Sequence, residues 1–203
     1  SRDAGLHGAV ELAAAPSPHL LGLLPPGPFV RWETRRGCPF RCSFCQHREP
    51  NTNMRSTKFH QSRVSDEIQL FAAGDVDSIA VLDPTFNTDT LWATDILDQF
   101  CEAAFSGTLA LQIRPEKVNQ TFIDAACRLR DRGANVVLEM GVQTFDPSVL
   151  NSIGRVKGSN TEKVVDKVKQ NLHEVVEHGL NAEASFIFGL PHQTIGSFER
   201  DLE

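Results

Sequence analysis

The chain has 203 residues, of which 40% are apolar and 23% charged, and its formal net charge at pH 7 is -6. This composition is typical of a globular protein and excludes both a disordered chain and a general nucleic-acid-binding protein. No apolar run approaches the roughly 18 residues of a membrane span, and no signal peptide opens the chain. We therefore expect a cytoplasmic protein without membrane segments.

The first 28 residues are rich in Ala, Leu, Gly and Pro, and they end in Pro25-Pro26-Gly27-Pro28. Clusters of Gly and Pro mark loops and linkers. We interpret 1–28 as a linker or arm, which is either a surface segment leading into the first strand or the tail of an upstream domain. Residues 29–203 are interpreted as the core domain.

From residue 29 onwards, apolar runs alternate with amphipathic segments. The apolar runs predict strands over 29–34, 78–83, 108–113, 135–141 and 183–188. The amphipathic segments predict one helix from Ser65, with acidic residues in its first turn, to a stop at Gly74, and further helices over 88–105, 120–132, 161–178 and 197–203. Alternating strands and helices form a parallel βα series, in which functional residues gather at the carboxyl ends of the strands.

Three of the five cysteines, Cys38, Cys42 and Cys45, lie within eight residues of a loop that follows the first predicted strand. A disulfide framework needs a small secreted chain with an even number of cysteines, so we interpret the trio as metal ligands. Zinc takes four protein ligands, and the nearest fourth donor, His47, follows Cys45 more closely than zinc motifs usually allow. An iron-sulfur cubane held by three thiolates leaves one iron open to a ligand that is not protein.

The pattern Cys38-x3-Cys42-x-Phe44-Cys45 resembles the cysteine motif of the radical S-adenosylmethionine (SAM) enzymes. The resemblance implies a [4Fe-4S] cluster held by the three cysteines, with the amino and carboxyl groups of SAM on the fourth iron. It also implies that an electron from the reduced cluster cleaves a carbon–sulfur bond of SAM and releases a 5′-deoxyadenosyl radical. The motif places Phe44 beside the cofactor.

The same resemblance implies an α/β fold, a partial (βα)6 barrel of the TIM type, over about residues 29–200. The chain supplies about five of the six βα units, and we expect the core domain to be C-terminally truncated. A missing sixth unit predicts an exposed sheet edge.

The second predicted strand ends in Asp83-Pro84-Thr85, where the family often has a glycine-rich turn and an acidic residue that hold the amino group of SAM. We expect Asp83 to accept that ammonium group, helped by backbone groups around Pro84 and Thr85. The alternative is a structural aspartate that ends a strand and caps the next helix. The third strand leads into Gln112-Ile113-Arg114-Pro115, which resembles the third-strand end of the oxygen-independent coproporphyrinogen oxidases, where a glutamate matches Gln112. We expect Gln112 to contact the cofactor by hydrogen bonds and Arg114 to contact a carboxylate or the substrate.

Glu139 and Gln143 lie on one face of the fourth predicted strand, because side chains two or four residues apart in a strand share a face. Buried polar groups need partners, so we expect both to bind polar groups of a ligand. The segment Gly141-Val142-Gln143 resembles one in the oxygen-independent coproporphyrinogen oxidase branch, whose glutamine contacts SAM. Arg155 resembles the arginine of that branch that pairs with the SAM carboxylate.

The fifth predicted strand carries Ser185 and continues into Gly189-Leu190-Pro191, which resembles the segment that flanks the adenine of SAM in the same branch. Ser185 stands where that branch often has an aspartate, and we expect Ser185 and Gly189 to lie beside the cofactor. Trp32, six residues before Cys38, matches an aromatic position that the branch uses near SAM.

These patterns predict a radical SAM enzyme that acts on an unknown small-molecule or peptide substrate, with an electron donor such as flavodoxin or ferredoxin. One alternative is a cobalamin-dependent radical SAM methyltransferase or rearrangement enzyme, with cobalamin bound by a domain outside this chain. An alternative of another class is a non-catalytic module that binds zinc or an iron-sulfur cluster for structural reasons. Cys101 and Cys127 fall in predicted helices, where we expect them to pack.

Overall fold

The structure is a computed structural model that describes residues 12–47, 56–156 and 160–203. Its strands are β1 (Phe29–Trp32), β2 (Arg35–Arg36), β3 (Thr57–Lys58), β4 (Ser78–Val81), β5 (Thr108–Ile113), β6 (Asn135–Gln143) and β7 (Asn181–Phe186). Its α-helices are α1 (Gln61–Ala73), α2 (Thr90–Glu102), α3 (Gln120–Asp131), α4 (Pro147–Ser152), α5 (Thr161–Glu177) and α6 (Ile195–Leu202).

Five strands form one parallel sheet in the order β1-β4-β5-β6-β7, and β2 pairs with β3 in a separate antiparallel ribbon. The order of the large sheet follows the chain without a reversal. Successive βα crossovers of one hand therefore place their helices on one face of the sheet and leave the other face open. This is the arrangement of an opened barrel, whereas a doubly wound sheet reverses its strand order and carries helices on both faces.

Side chains alternate between the two faces of the strands. In β6 every second residue from Val136 to Val142 is buried, and the residues between them, including Glu139, are half-buried. The buried set belongs to a core that also contains Phe71 of α1 and Phe100 of α2, both fully buried. Burying one such phenylalanine contributes about 1.5–3 kcal/mol. The core therefore lies on the helix face, and the polar residues of β6 lie on the open face.

The predicted strands and helices are confirmed, most of them with ends that shift by three residues or fewer. β5 has the predicted bounds, and Asn119 caps α3 by accepting a hydrogen bond from Phe122 N (3.0 Å). The predicted start of α1 was wrong, because the helix begins at Gln61 rather than at Ser65.

Glu67, which was expected in the first turn of α1, lies in the second turn and is fully buried. Its carboxylate accepts a hydrogen bond from Trp32 Nε1 (2.8 Å) and another from Arg63 Nε (3.3 Å). A buried carboxylate needs such partners. Glu67 thus joins α1 to β1 and does not act on the helix terminus.

Two elements near the carboxyl ends of the strands were not predicted. The ribbon pairs Arg35 with Lys58 and brings together the two ends of the cysteine loop, of which 48–55 lies outside the described residues. α4 begins after Asp146, which accepts a hydrogen bond from Ser148 N (2.9 Å). An Asp cap followed by Pro is a common helix start, so this helix had a sequence signal.

The predicted arm (1–28) is described from residue 12 onwards, and this part packs against the start of α1 and the core. His60 N donates a hydrogen bond to Ala13 O (3.0 Å). The ring of His19 lies edge-on to the ring of Phe71, with 5.2 Å between the ring centroids. The described part of the arm therefore contacts α1 and the core.

β7 is the last strand of the large sheet in the described chain, and most of its residues are exposed. This agrees with the expected exposed edge. An edge strand presents unpaired backbone N–H and C=O groups, which can pair with a further strand. No described helix is both long and apolar enough to cross a membrane.

Candidate cluster and cofactor site

A cavity of about 270 Å³ lies at the carboxyl ends of the strands, beside the cysteine loop. In βα barrels the functional sites lie at this end of the sheet. The lining residues come from the loop and from the ends of β4, β5, β6 and β7, and they are Cys38, Phe40, Cys42, Phe44, Cys45, His47, Pro84, Thr85, Gln112, Ile113, Arg114, Glu139, Gly141, Gln143, Arg155 and Ser185. Eleven of the fourteen predicted cluster and cofactor residues are therefore brought to one cavity.

The cysteine loop follows β2 and is held in place by backbone hydrogen bonds. Cys38, Cys42 and Cys45 are free thiols. Cys45 N donates to Cys42 O (3.1 Å), which forms a turn, and Ser43 N donates to Ile153 O (2.8 Å) at the end of α4. The loop is therefore fixed to the segment that follows β6.

Burial raises the pKa of the Cys38 thiol, while a backbone hydrogen bond from Phe40 and the positive charge of Arg114 oppose the shift. Thiols bind metal as thiolates, so metal binding releases their protons. Cluster assembly at Cys38 therefore competes with protonation of its thiol.

The three cysteines could bind either a zinc ion or a [4Fe-4S] cluster, and the two groups need different arrangements of ligands. In 12–47, 56–156 and 160–203, no three His, Cys, Asp or Glu side chains are arranged to hold a single metal ion. Zinc would need four donors at about 2.0–2.3 Å from one centre. In a cubane each thiolate binds a different iron, so the ligands surround a larger group. The three cysteines line one cavity, which leaves room beside a three-thiolate cluster for a ligand on the open iron.

Gln143 reaches the cavity through an irregular end of β6. The register with β7 shifts between Gly141 and Gln143, and Gln143 has a φ of +74°, in the left-handed region that residues other than glycine rarely adopt. A Cβ on Gly141 would lie 2.8 Å from Gln143 Nε2, so a side chain at residue 141 would displace the Gln143 amide from this position. Bulges of this kind re-aim side chains next to functional sites.

Arg155 follows α4 and lies in the cavity wall, where its Nη2 donates to Gly141 O (2.5 Å). Its side chain is 9% exposed, and Glu116 Oε2 lies 3.6 Å from the same nitrogen. Burial lowers the pKa of this guanidinium, while the nearby charges of Glu116 and Cys42 oppose the shift. Arginine stays protonated in proteins, so a fixed cation lies beside the cysteines.

The open face of the sheet presents polar side chains to the cavity. Gln112 is the register partner of Glu139, and Gly141 is the register partner of Ser185. Paired residues on neighbouring strands share a face and lie about 5 Å apart. In the described chain, the side chains of Gln112 and Glu139 have no hydrogen-bonding partner, so their polar atoms are available to a ligand.

Trp32 does not reach the cavity. Its side chain points to the helix face of the sheet and lies edge-on to Phe71 (5.8 Å between centroids) and Phe100 (5.7 Å). The alternation of β1 decides this, because Trp32 shares a face with buried Val30 whereas Arg31 lies on the exposed face. The expectation that Trp32 lies near the cofactor was wrong.

Asp83 also lies outside the cavity, where it anchors the base of the cysteine loop. Its fully buried carboxylate accepts hydrogen bonds from Thr34 N (2.8 Å), Thr34 Oγ1 (2.5 Å) and Arg35 N (3.2 Å), and it pairs with Arg35 Nε (3.4 Å). Burial raises the pKa of Asp83, while the hydrogen bonds from Thr34 and the charge of Arg35 oppose the shift. Its expected role as an ammonium acceptor was wrong, because these donors occupy both oxygens. The alternative of a helix cap was wrong too, since Asp89 caps α2.

Gly189 lies beyond the cavity, in the exposed loop after β7. Its φ of +86° is in the left-handed region that suits glycine, and its N–H donates to Gln193 Oε1 (2.8 Å). Gln193 Nε2 in turn donates to Ile187 O (3.1 Å), so this loop closes on itself. The expectation that Gly189 lies beside the cofactor was wrong, because Gly189 is not among the cavity-lining residues and its N–H is bonded within the loop.

Sequence reasoning missed Phe40, Ile113 and Glu116. Phe40 and Ile113 line the cavity, and Glu116 pairs with both Arg114 and Arg155. Phe40 had a signal, because it lies inside the cysteine motif. Glu116 had none, because its pairing with Arg155 joins segments that are distant in the chain.

Comparison with known proteins is consistent with this geometry. A sequence model of the Radical SAM superfamily matches residues 32–203. The cobalamin-dependent radical SAM methyltransferase TokK of Streptomyces tokunonensis is 28% identical over 206 residues, which cover 93% of this chain and 28% of that protein. The oxygen-independent coproporphyrinogen III oxidase of Bradyrhizobium diazoefficiens is 34% identical over 93 residues, which cover 45% of this chain and 18% of that protein.

Solved structures share the fold. The radical S-adenosylmethionine methyltransferase TsrM from Kitasatospora setae superimposes with a TM-score of 0.72 and 18% sequence identity, over 87% of this chain and 33% of that chain. This likeness confirms the α/β partial barrel with five βα units. The chain spans a third or less of the length of these relatives. The family match extends over most of the chain, and this chain belongs to the Radical SAM superfamily.

Proposed function

We propose that this chain is the catalytic core of a radical SAM enzyme. Cys38, Cys42 and Cys45 hold a [4Fe-4S] cluster, and SAM lies between the cysteine loop and the strand ends. One observation carries this proposal: the three thiols and the unpartnered polar side chains of Gln112 and Glu139 line the same cavity. A structural zinc or cluster module would have no use for unpartnered polar groups beside the metal.

The polar wall of the cavity suits the polar parts of SAM. Arg155 offers a guanidinium to the methionine carboxylate, and Gln143 offers an amide to the same end of the cofactor. Gln112, Glu139 and Ser185 bind the ribose hydroxyls. Four of these side chains come from the ends of β5, β6 and β7 and Arg155 follows α4, and all five line the cavity together with the cysteines, which supports a ligand bound there.

Three further residues complete the SAM site. The backbone around Pro84 and Thr85 accepts the methionine ammonium group, the part of SAM that Asp83 is not free to hold. Phe44 is 38% exposed at the cavity and covers an apolar part of the cofactor. An exposed aromatic ring at a cavity is expected to gain buried area when a ligand binds.

When bound and reduced, the cluster supplies the electron that cleaves a carbon–sulfur bond of SAM. The side chains of this chain hold SAM in one orientation, and Arg155 fixes the methionine end by a charge-assisted contact. A small carrier such as flavodoxin or ferredoxin delivers the electron. All five cysteines are free thiols, which supports a place in the reducing cytoplasm.

Cobalamin-dependent methyl transfer is the second candidate function. TokK, which aligns with 93% of this chain, supports it. In this candidate, cobalamin would be bound by a domain outside this chain, which matches only 28% of the length of TokK. The substrate is a small molecule or a peptide.

Reductive cleavage of SAM tests the proposal. Protein reconstituted anaerobically with iron and sulfide, and then reduced with SAM present, is expected to form 5′-deoxyadenosine and methionine in equal amounts, measured by mass spectrometry. Protein that holds a full cluster and binds SAM but forms no 5′-deoxyadenosine would contradict it. Formation of S-adenosylhomocysteine by protein that includes the cobalamin-binding domain, when cobalamin is added, would favour the second candidate.

A further inference from the structure

Arg114 lines the cavity, and the sequence predicted that it contacts a carboxylate or the substrate. It directly follows β5, and the buried amide of Asn87 fixes its backbone on both sides. Asn87 Nδ2 donates to Arg114 O (2.9 Å), and Arg114 N donates to Asn87 Oδ1 (2.9 Å). The direction in which the side chain leaves the strand is therefore set.

The guanidinium of Arg114 is only 3% exposed and contacts three separate segments. Its Cζ lies 3.6 Å from the ring centroid of Phe40, between the first and second cysteines of the loop. Its Nη2 donates to Arg155 O (3.0 Å), and its Nε donates to Glu116 Oε1 (2.5 Å). These contacts use Nε, Nη2 and one face of the guanidinium within the protein.

The carboxylate of Glu116 links Arg114 to Arg155, the proposed contact of the SAM carboxylate. Glu116 shares its carboxylate between two cations, since Oε1 faces Arg114 and Oε2 lies 3.6 Å from Arg155 Nη2. These three linked side chains carry one negative and two positive charges. The planar guanidinium can stack on a ring and donate in several fixed directions at once, which lysine cannot do.

We propose that Arg114 is a positioning residue, which fixes the cysteine loop relative to Arg155 so that the cluster and the SAM carboxylate contact keep one geometry. Arg114 contacts the cysteine loop through the ring of Phe40, and it is linked to Arg155 through the carboxylate of Glu116. The inference rests on the proposed function, because it assumes that the cysteines hold a cluster and that Arg155 holds SAM.

Arg114→Lys tests the inference, with Arg128→Gln as the matched control. Arg128 is an exposed arginine on α3 that pairs with Asp98 at 2.7 Å, away from the cavity. Arg114→Lys is expected to keep a full iron content but to bind SAM about tenfold more weakly, the change expected for one lost charge-assisted hydrogen bond. The electron paramagnetic resonance (EPR) spectrum of its reduced cluster with SAM is expected to broaden, because the cofactor is no longer held in one position. Arg128→Gln should match the parent in both measurements.

Phe40→Leu provides a second variant that removes the stacking partner and leaves Arg114 in place. We expect the same direction of change, and the double variant Phe40→Leu/Arg114→Lys should lose no more SAM affinity than Arg114→Lys alone, because both changes break one contact. Additive losses of SAM affinity would contradict the positioning role.

The result that overturns the inference is an Arg114→Lys protein with lowered thermal stability but the parent's SAM affinity and EPR spectrum. Such a protein would show that Arg114 only stabilises the fold. A parent protein that takes up no cluster or binds no SAM would instead contradict the proposed function, so the two failures are distinguishable.

Discussion

Replacing Cys42 by alanine is expected to abolish the [4Fe-4S] cluster. Cys42 is the most buried of the three cysteines, at 5% exposed, and it supplies one of the three protein thiolates. Without it a second iron would lack a protein ligand, and a cubane is not held by two thiolates. Iron and sulfide per chain after anaerobic reconstitution should fall from about four of each to background.

Cys127→Ala and Cys101→Ala serve as matched controls, because they remove a thiol without touching the loop. Cys101 lies in α2 and Cys127 in α3, and both are packed against the core. Both variants should keep the full iron and sulfide content. A full cluster on the Cys42→Ala protein would contradict the assignment of the ligands.

Asp83→Asn is expected to lower the free energy of unfolding by about 3–5 kcal/mol, the cost of removing one partner of a buried ion pair. The side chains of Asp83 and Arg35 are 0% and 3% exposed, so the Arg35 guanidinium would lose its charged partner without gaining contact with water. The new amide would also place N–H groups towards the Arg35 guanidinium or the Thr34 hydroxyl. Urea unfolding of the cluster-free protein measures the change.

Asp89→Asn is the control for this prediction, because Asp89 makes the same kind of pair at the surface. It lies 2.5 Å from Lys58 Nζ, and both side chains are 40% exposed. Asparagine caps a helix as well as aspartate does, so the cap of α2 is kept. The expected cost is below about 1 kcal/mol. Equal effects of Asp83→Asn and Asp89→Asn would show that the buried pair has no special role in anchoring the loop.

Residues that are neighbours in the sequence, or that follow a regular strand period, could be predicted. The cysteine trio lies in one loop, so its spacing alone brings Cys38 and Cys45 to one site. Glu139 follows the period of β6, which decides that it faces the cavity. Because parallel strands end at the same edge, Ser185 could be placed beside it without knowledge of any contact.

Residues placed by tertiary contacts could not be predicted in the same way. The predicted second strand extended to Asp83, but β4 ends at Val81 and the chain then turns, so Asp83 meets Thr34 at the start of the cysteine loop. Trp32 had an aromatic signal, but which face it occupies depends on the phase of β1. The pairing of Glu116 with Arg155 depends on α4, an element that was not predicted.

The proposed function requires SAM to bind directly to a cluster held by Cys38, Cys42 and Cys45. Electron–nuclear double resonance on the reduced protein tests it most directly, with SAM carrying ¹⁵N in its amino group and ¹⁷O in its carboxyl group. We predict that both labels show hyperfine coupling to the cluster. A full cluster that shows coupling to neither label at saturating SAM would contradict the claim.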